Sequence, residues 1–224
     1  MLWSEKTVVF DMDGTLVDTA PDLHAALCHA FSTQGMEAID LPTLRSTIGH
    51  GARAMIEKSA AELKIELTAN QLETLHLAFL DYYRANMTVH TRLFDGMDET
   101  LNFCLERDAK MAICTNKTQA LAEQVLSELN LSDKFVAVLG ADKTSEKKPS
   151  AVHLKETVSL AKGKIDQAVM IGDSSSDGLS AQAADMPFIF MTYGYPDAQV
   201  DQLKPFAKLD TAKDLPAAIQ KCFS

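Results

Sequence analysis

Cysteine is scarce in this chain of 224 residues: Cys28, Cys104, Cys114 and Cys222, none of them in a Cys-x-x-Cys pair. So few thiols exclude a disulfide scaffold. They read as buried thiols of a reducing compartment. Long apolar runs are also missing. The longest span about five residues, against the roughly 20 needed to cross a bilayer. Glu5 and Lys6 stand where a signal peptide would need its apolar stretch, so a cytoplasmic protein is expected. Positive charge is the third shortage: 21 Lys and Arg against 31 Asp and Glu, a formal net charge of −10. Such a surface repels phosphate backbones and anionic lipid, so neither nucleic acid nor membrane is expected as a partner. A site for small anions is still admissible if local cations or a metal reverse the field.

What is present is the composition of a folded globular protein. Hydrophobic residues make up 46% and charged residues 23%, enough apolar surface to offset the entropy of ordering. Short apolar runs at 7–10, 111–114, 135–139, 168–171 and 188–191 lack clean alternation, the pattern of strands covered on both faces. Amphipathic stretches at 119–129, 151–161 and 176–184 separate the later ones. Strand–helix–strand alternation predicts a parallel sheet with right-handed crossovers.

The rhythm breaks between residues 21 and 87, where no strand is read. Helical patterns occupy 21–32, 41–48, 52–63 and 68–83. Thr19 is a candidate N-cap with Pro21 in the first turn, and Thr68 with Gln71 has capping-box spacing. The expectation is an α/β protein in two parts: a discontinuous core of residues 1–18 and 88–224, and an all-helical module of residues 19–87. Hinges are placed at 18–21 and 88–95.

Polar residues cluster just past each expected strand. The first strand runs into Asp11-Met12-Asp13-Gly14-Thr15-Leu16-Val17-Asp18, the second into Thr115-Asn116-Lys117. The third leads to Gly140-Ala141-Asp142 and on to Lys147-Lys148-Pro149, the fourth to Gly172-Asp173-Ser174-Ser175-Ser176-Asp177. In an open parallel sheet the carboxyl ends share one edge, where ligands bind. Clustered carboxylates repel one another unless a cation intervenes. An all-oxygen donor set favours Mg²⁺ before Ca²⁺. A hydroxyl, an amide and a lysine complete a site for a phosphoryl group.

The set Asp-x-Asp-Gly-Thr-Leu-x-Asp, Thr-Asn, Lys-Pro and Gly-Asp-Ser-x-x-Asp resembles the haloacid dehalogenase-like hydrolase superfamily. The helical insert after the first motif resembles the cap of its phosphoglycolate phosphatase-like branch. The likeness covers nearly the whole chain and implies a Rossmann-like parallel-sheet core with an inserted helical cap domain. It implies Asp11 as nucleophile, Asp13 as general acid and then base, and Thr115 and Asn116 as holders of the phosphoryl group. Lys148 would balance its charge and that of Asp11, with Lys147 the competing neighbour. Mg²⁺ would sit on Asp11, the backbone carbonyl of Asp13 and Asp173, with Gly172 and Asp177 supporting that shell. Asp18 and Asp142 stay open between loop roles and membership of the site. Relatives often carry Lys-Pro-x-Pro; here Ser150 and Ala151 follow Pro149. Many also place Arg or Thr and Asn where this chain has Ser175 and Ser176.

Gly49-His50-Gly51-Ala52-Arg53-Ala54 fits a dinucleotide fingerprint formally, but no strand precedes it. It reads instead as a turn between cap helices, with His50 and Arg53 directed at the substrate's non-phosphate end. The other five histidines show no zinc spacing and are expected at the surface or its boundary. The expected activity is Mg²⁺-dependent hydrolysis of a small phosphomonoester, 2-phosphoglycolate first, by a monomer or homodimer. Pyrophosphatase, nucleotidase and sugar-phosphate phosphatase or mutase chemistries stay open. Thr15, where mutase relatives often carry Val, favours hydrolysis. Asp13 and the acidic shell disfavour a dehalogenase, and Lys58 and Lys64 lack the surroundings of a phosphonatase lysine. From a different class, a phosphate-responsive binding switch would also combine Asp, Thr and Lys, but at about half the length and without a cap.

Overall fold

A computed structural model describes residues 3–224. The chain forms two compact units, Met1–Val17 with Leu93–Ser224, and Asp18–Arg92. In the first unit, strands β1 (Thr7–Phe10), β4 (Lys110–Thr115), β5 (Ala137–Gly140), β6 (Ala168–Gly172), β7 (Phe188–Met191) and β8 (Ala207–Leu209) form one sheet. Two short strands, β2 (Val17–Asp18) and β3 (Arg92–Leu93), pair with each other.

The six-stranded sheet is parallel throughout, in the order β5-β4-β1-β6-β7-β8. The chain steps outward from β1 through β4 to β5, then returns to β6 on the other side of β1. Strand order therefore reverses at β1, the point where α/β sheets open a crevice at their carboxyl edge. Phe10 is level with Ile113 on one side and Ile171 on the other. This register brings Asp11, Thr115 and Asp173, distant in sequence, to one rim.

The central strands β1, β6 and β7 are buried along their whole length, which is why they read as unbroken apolar runs. One face is packed by helices α7 (Ala151–Leu160) and α8 (Ser175–Ala183), whose Leu154, Val158 and Ala181 join Val9, Met170, Phe188 and Phe190 in a core cluster. Helix α6 (Gln119–Glu128) packs against β5. Helices α5 (Met97–Leu105) and α9 (Leu215–Cys222) pack together, and Trp3 meets Phe103 and Phe223 there edge to face.

Five of these elements, α5, α9, β8 and the short pair β2 and β3, are absent from the sequence expectation. β8 is only three residues long, with exposed Lys208 at its middle. Strand β5 begins at Ala137 rather than 135, because a turn of 3₁₀-helix at Ser132–Lys134 leads into the preceding residues.

The second unit is helical: α1 (Ala20–Ser32), α2 (Leu41–Arg45), α3 (Ala52–Glu62) and α4 (Ala69–Asn86). Buried Leu23, Ala26, Leu27, Ala30 and Phe31 form the inner stripe of α1. Leu75, Phe79 and Tyr83, spaced one turn apart, form that of α4. The capping box of Thr68 and Gln71 is present at the start of α4. Thr19 occupies the N-cap position of α1, but its side chain makes no capping bond; the Asp18 carboxylate accepts from Ala20 N–H at 3.3 Å instead. Buried Asp22 accepts from the backbone N–H of His90 and Thr91 and from the Thr91 hydroxyl. These bonds tie the segment after α4 to α1.

Candidate active site

Asp11 is the first residue past β1. Its N–H continues the ladder by donating to the Ile171 carbonyl at 2.9 Å, and its Oδ1 accepts from Met12 N–H at 2.7 Å. The carboxylate is therefore fixed by backbone on both sides of it. Lys148 Nζ lies 2.8 Å from Asp11 Oδ1, 2.6 Å from Asp177 Oδ1 and 2.7 Å from the Cys114 carbonyl. All three ammonium hydrogens are used, and the side chain has no exposure to water. Burial alone would lower the Lys148 pKa; Asp11 and Asp177 outweigh it and hold the pKa above the ordinary lysine value. The neighbouring Lys147 is exposed, whereas Lys148 is buried.

Asp177 is fully buried in the first turn of α8, where its Oδ2 accepts from Ser174 N–H and Oγ. It is thus both the N3 residue of a capping box and a partner of Lys148. Gly172 makes room for it: a Cβ there would lie 2.4 Å from the Asp177 Cβ. Asp173 is held by the Thr15 hydroxyl and by Tyr195 N–H at 2.7 Å. At Gly14, φ is +88° and a Cβ would meet Asp173 Oδ2 at 2.3 Å. Only glycine allows the first motif to fold this close to the fourth.

Asp11, Asp173 and Asp177 each present an oxygen within 4.8 Å of the others. Burial, then repulsion from Asp177, pushes the Asp11 pKa up to about 7 against the pull of Lys148. Burial and repulsion from Asp177 and Asp11 raise that of Asp173 well above the usual carboxylate range. Lys148 pairs with two of these three buried carboxylates, Asp11 and Asp177, and the all-oxygen donor set of the three suits a hard divalent cation. The cluster fits a metal site.

Asp13 is close by in sequence but faces a different partner. Lys117 Nζ lies 3.0 Å from each of its carboxylate oxygens. Thr115, buried, accepts from Lys117 N–H at 3.1 Å through Oγ1, which fixes the hydroxyl and leaves its hydrogen to donate. The Asn116 amide donates to the Lys148 carbonyl at 3.1 Å, bracing the lysine's loop. Asp142 accepts from Gln119 N–H at the start of α6, and Asp18 pairs with Arg45 at 3.0 Å.

In the helical unit, Gly51 caps α3 at φ +97° and His50 lies exposed before it. Arg53 is half exposed and pairs with Glu73 at 3.1 Å and Glu57 at 3.7 Å.

His153 corrects the expectation of a surface or boundary residue. It is fully buried on the inner face of α7, accepting from Lys148 N–H at 3.3 Å through Nδ1 and facing the Leu139 carbonyl at 3.1 Å through Nε2. These bonds fit the neutral Nε2–H tautomer. Burial, then the Lys148 charge, lowers its pKa to about 4. The helical spacing of buried His153, Leu154, Thr157 and Val158 is the signal that places it inside. Lys117 is the other residue the motifs did not single out.

Residues 8–191 match the model of the haloacid dehalogenase-like hydrolase family. The chain belongs to the haloacid dehalogenase-like hydrolases. Within that family it is 36% identical to a phosphoglycolate phosphatase of Agrobacterium fabrum strain C58 over 217 residues, covering 96% of this chain and 93% of the relative. It is 37% identical to a phosphoglycolate phosphatase of Mesorhizobium japonicum over 204 residues, covering 91% and 90%. A solved structure from Haemophilus somnus 129pt, described as a predicted phosphoglycolate phosphatase, superposes with a TM-score of 0.88 at 25% identity, covering 95% of this chain and 96% of that one. No described helix is long and apolar enough to cross a membrane.

Proposed function

We propose that this hydrolase is a Mg²⁺-dependent phosphatase that cleaves a small phosphomonoester, 2-phosphoglycolate first, through an aspartyl phosphate on Asp11. The observation that carries the reading is the convergence of Asp11, Asp173 and Asp177, with Lys148 paired to Asp11 and Asp177, at the sheet's switch point. The substrate follows from relatives named phosphoglycolate phosphatase that match nearly end to end.

The reaction is derived from this chain's own groups. The Asp11 oxygen attacks phosphorus while the ester P–O bond breaks and Asp13 protonates the departing alkoxide. Water then attacks the phosphorus of the aspartyl phosphate and passes a proton to Asp13. The Asp11–phosphorus bond breaks, inorganic phosphate leaves and the carboxylate is restored. Lys148 stabilises charge beside Asp11 throughout, and the Thr115 hydroxyl donates to the transferring group. Asn116 acts by holding the Lys148 loop. Asp11, the Asp13 carbonyl and Asp173 would hold Mg²⁺, with Asp177 and Gly172 shaping that shell; the ion supplies positive charge for the phosphoryl oxygens. Positioning and charge stabilisation are what phosphoryl transfer chiefly requires.

The helical unit, residues 19–87 on this reading, serves as a cap that excludes water, with His50 and Arg53 for the substrate's carboxylate end. The test is a phosphate-release screen with Mg²⁺ across 2-phosphoglycolate, sugar phosphates, nucleotides and pyrophosphate. Preference for 2-phosphoglycolate, lost in Arg53→Ala, supports the assignment. A preference for another ester corrects the substrate, and release by none of them refutes the activity.

A further inference from the structure

The Asp13–Lys117 pair has no part in the motif-based account of the site. Lys117 follows Thr115 and Asn116 directly after β4, and its backbone is held at both ends: its N–H on Thr115 Oγ1 at 3.1 Å, its carbonyl on Ala141 N–H at 3.0 Å. From this anchored start the side chain, 6% exposed, places Nζ 3.0 Å from both oxygens of Asp13, itself 11% exposed. Exposed lysine pairs are loosely held because two long side chains keep their freedom. Here a largely buried ammonium spans both oxygens, so the carboxylate cannot turn about its own axis without losing a contact. Lys148 cannot do the same for Asp13, since its hydrogens go to Asp11, Asp177 and the Cys114 carbonyl.

We infer that Lys117 is the positioning residue for Asp13 in the water-attack half of the reaction. The inference rests on the aspartyl-phosphate reading above. A carboxylate held at both oxygens keeps one orientation, which is what Asp13 needs to meet the attacking water. In that step the new water–phosphorus bond forms as the Asp11–phosphorus bond breaks, and the water's proton goes to Asp13. Misplacing Asp13 slows this step and strands the phosphoryl group on Asp11. The first half is spared when the leaving group needs no proton, as with nitrophenolate.

The experiment mixes Lys117→Met rapidly with p-nitrophenyl phosphate and Mg²⁺, beside the parent enzyme and Asp13→Asn. The expected result is a stoichiometric burst of nitrophenolate, then steady turnover about 10²-fold below the parent. kcat/KM, which reports the first half, stays near the parent value. Lys117→Arg recovers part of kcat, and Lys117→Gln gives the same burst should the methionine variant melt below the assay temperature. Parent-like kcat in the variants overturns the inference, as does a joint fall of kcat and kcat/KM without a burst. A burst in Asp13→Asn but none in Lys117→Met overturns it alone. Absence of a burst and of phosphoenzyme in Asp13→Asn overturns the underlying mechanism instead.

Discussion

Replacing Lys148 with methionine keeps most of the side-chain volume and removes the cation paired with buried Asp11 and Asp177. The structure shows what is lost: contacts of 2.8 and 2.6 Å to Asp11 and Asp177 and one of 2.7 Å to the Cys114 carbonyl. Removing one partner of a buried ion pair costs about 3–5 kcal/mol, because the other charge stays behind unpaired. In a protein of this size that lowers the melting temperature by about 6–20 °C. Catalysis falls further, by about 10²–10³-fold in kcat, since a donor aimed at developing charge goes with it. The assay is thermal and denaturant unfolding in EDTA, with phosphate release measured separately in Mg²⁺. The argument is sharpened by Lys148→Met/Asp177→Asn. Removing a carboxylate along with its cation recovers about 1–2 kcal/mol relative to the sum of the single variants. A Lys148→Met variant as stable as the parent, or strictly additive costs, would refute the reasoning.

Two further outcomes follow from the same geometry. Chelation by EDTA stops hydrolysis and added Mg²⁺ restores it, because Lys148 alone does not offset Asp11, Asp173 and Asp177; undiminished turnover in EDTA rules out the metal assignment. Buried His153 has its pKa lowered from 6.5 to about 4, so the folded chain stays neutral there while the unfolded chain takes up a proton. Its contribution is complete above pH 6.5 and is lost as pH falls from 6.5 towards 4, by about 3 kcal/mol at most. Unfolding free energies of the parent and His153→Asn across that window should show the parent falling more steeply; parallel curves contradict the burial argument.

The parallel sheet was legible because both-face burial writes itself as short unbroken apolar runs, and β1, β6 and β7 are the most deeply covered strands. Helices α5 and α9, nine and eight residues long, went unread in the sequence. β8 lies at the sheet's edge and carries exposed Lys208, so it has no run to read. The site residues were legible as types: Asp, Thr, Asn and Lys placed just past strands. Their pairing was not. The family resemblance implied Lys148 beside Asp11, but nothing in the sequence tells that Lys148 also takes Asp177 while Lys117 takes Asp13, since both lysines sit in polar loops. Nor does it tell that Asn116 turns to the Lys148 carbonyl. Those choices are made by the register of β1 against β4 and β6, which only the folded sheet displays.

The most direct test of the central claim is to trap the phosphoryl group in transit. Asp13→Asn is mixed with 2-phosphoglycolate and Mg²⁺, quenched in acid, digested and read by mass spectrometry. The account predicts the added phosphoryl mass on the peptide containing Asp11 and its disappearance in Asp11→Asn. Label on any other residue, or parent-like turnover by Asp11→Asn, would contradict it.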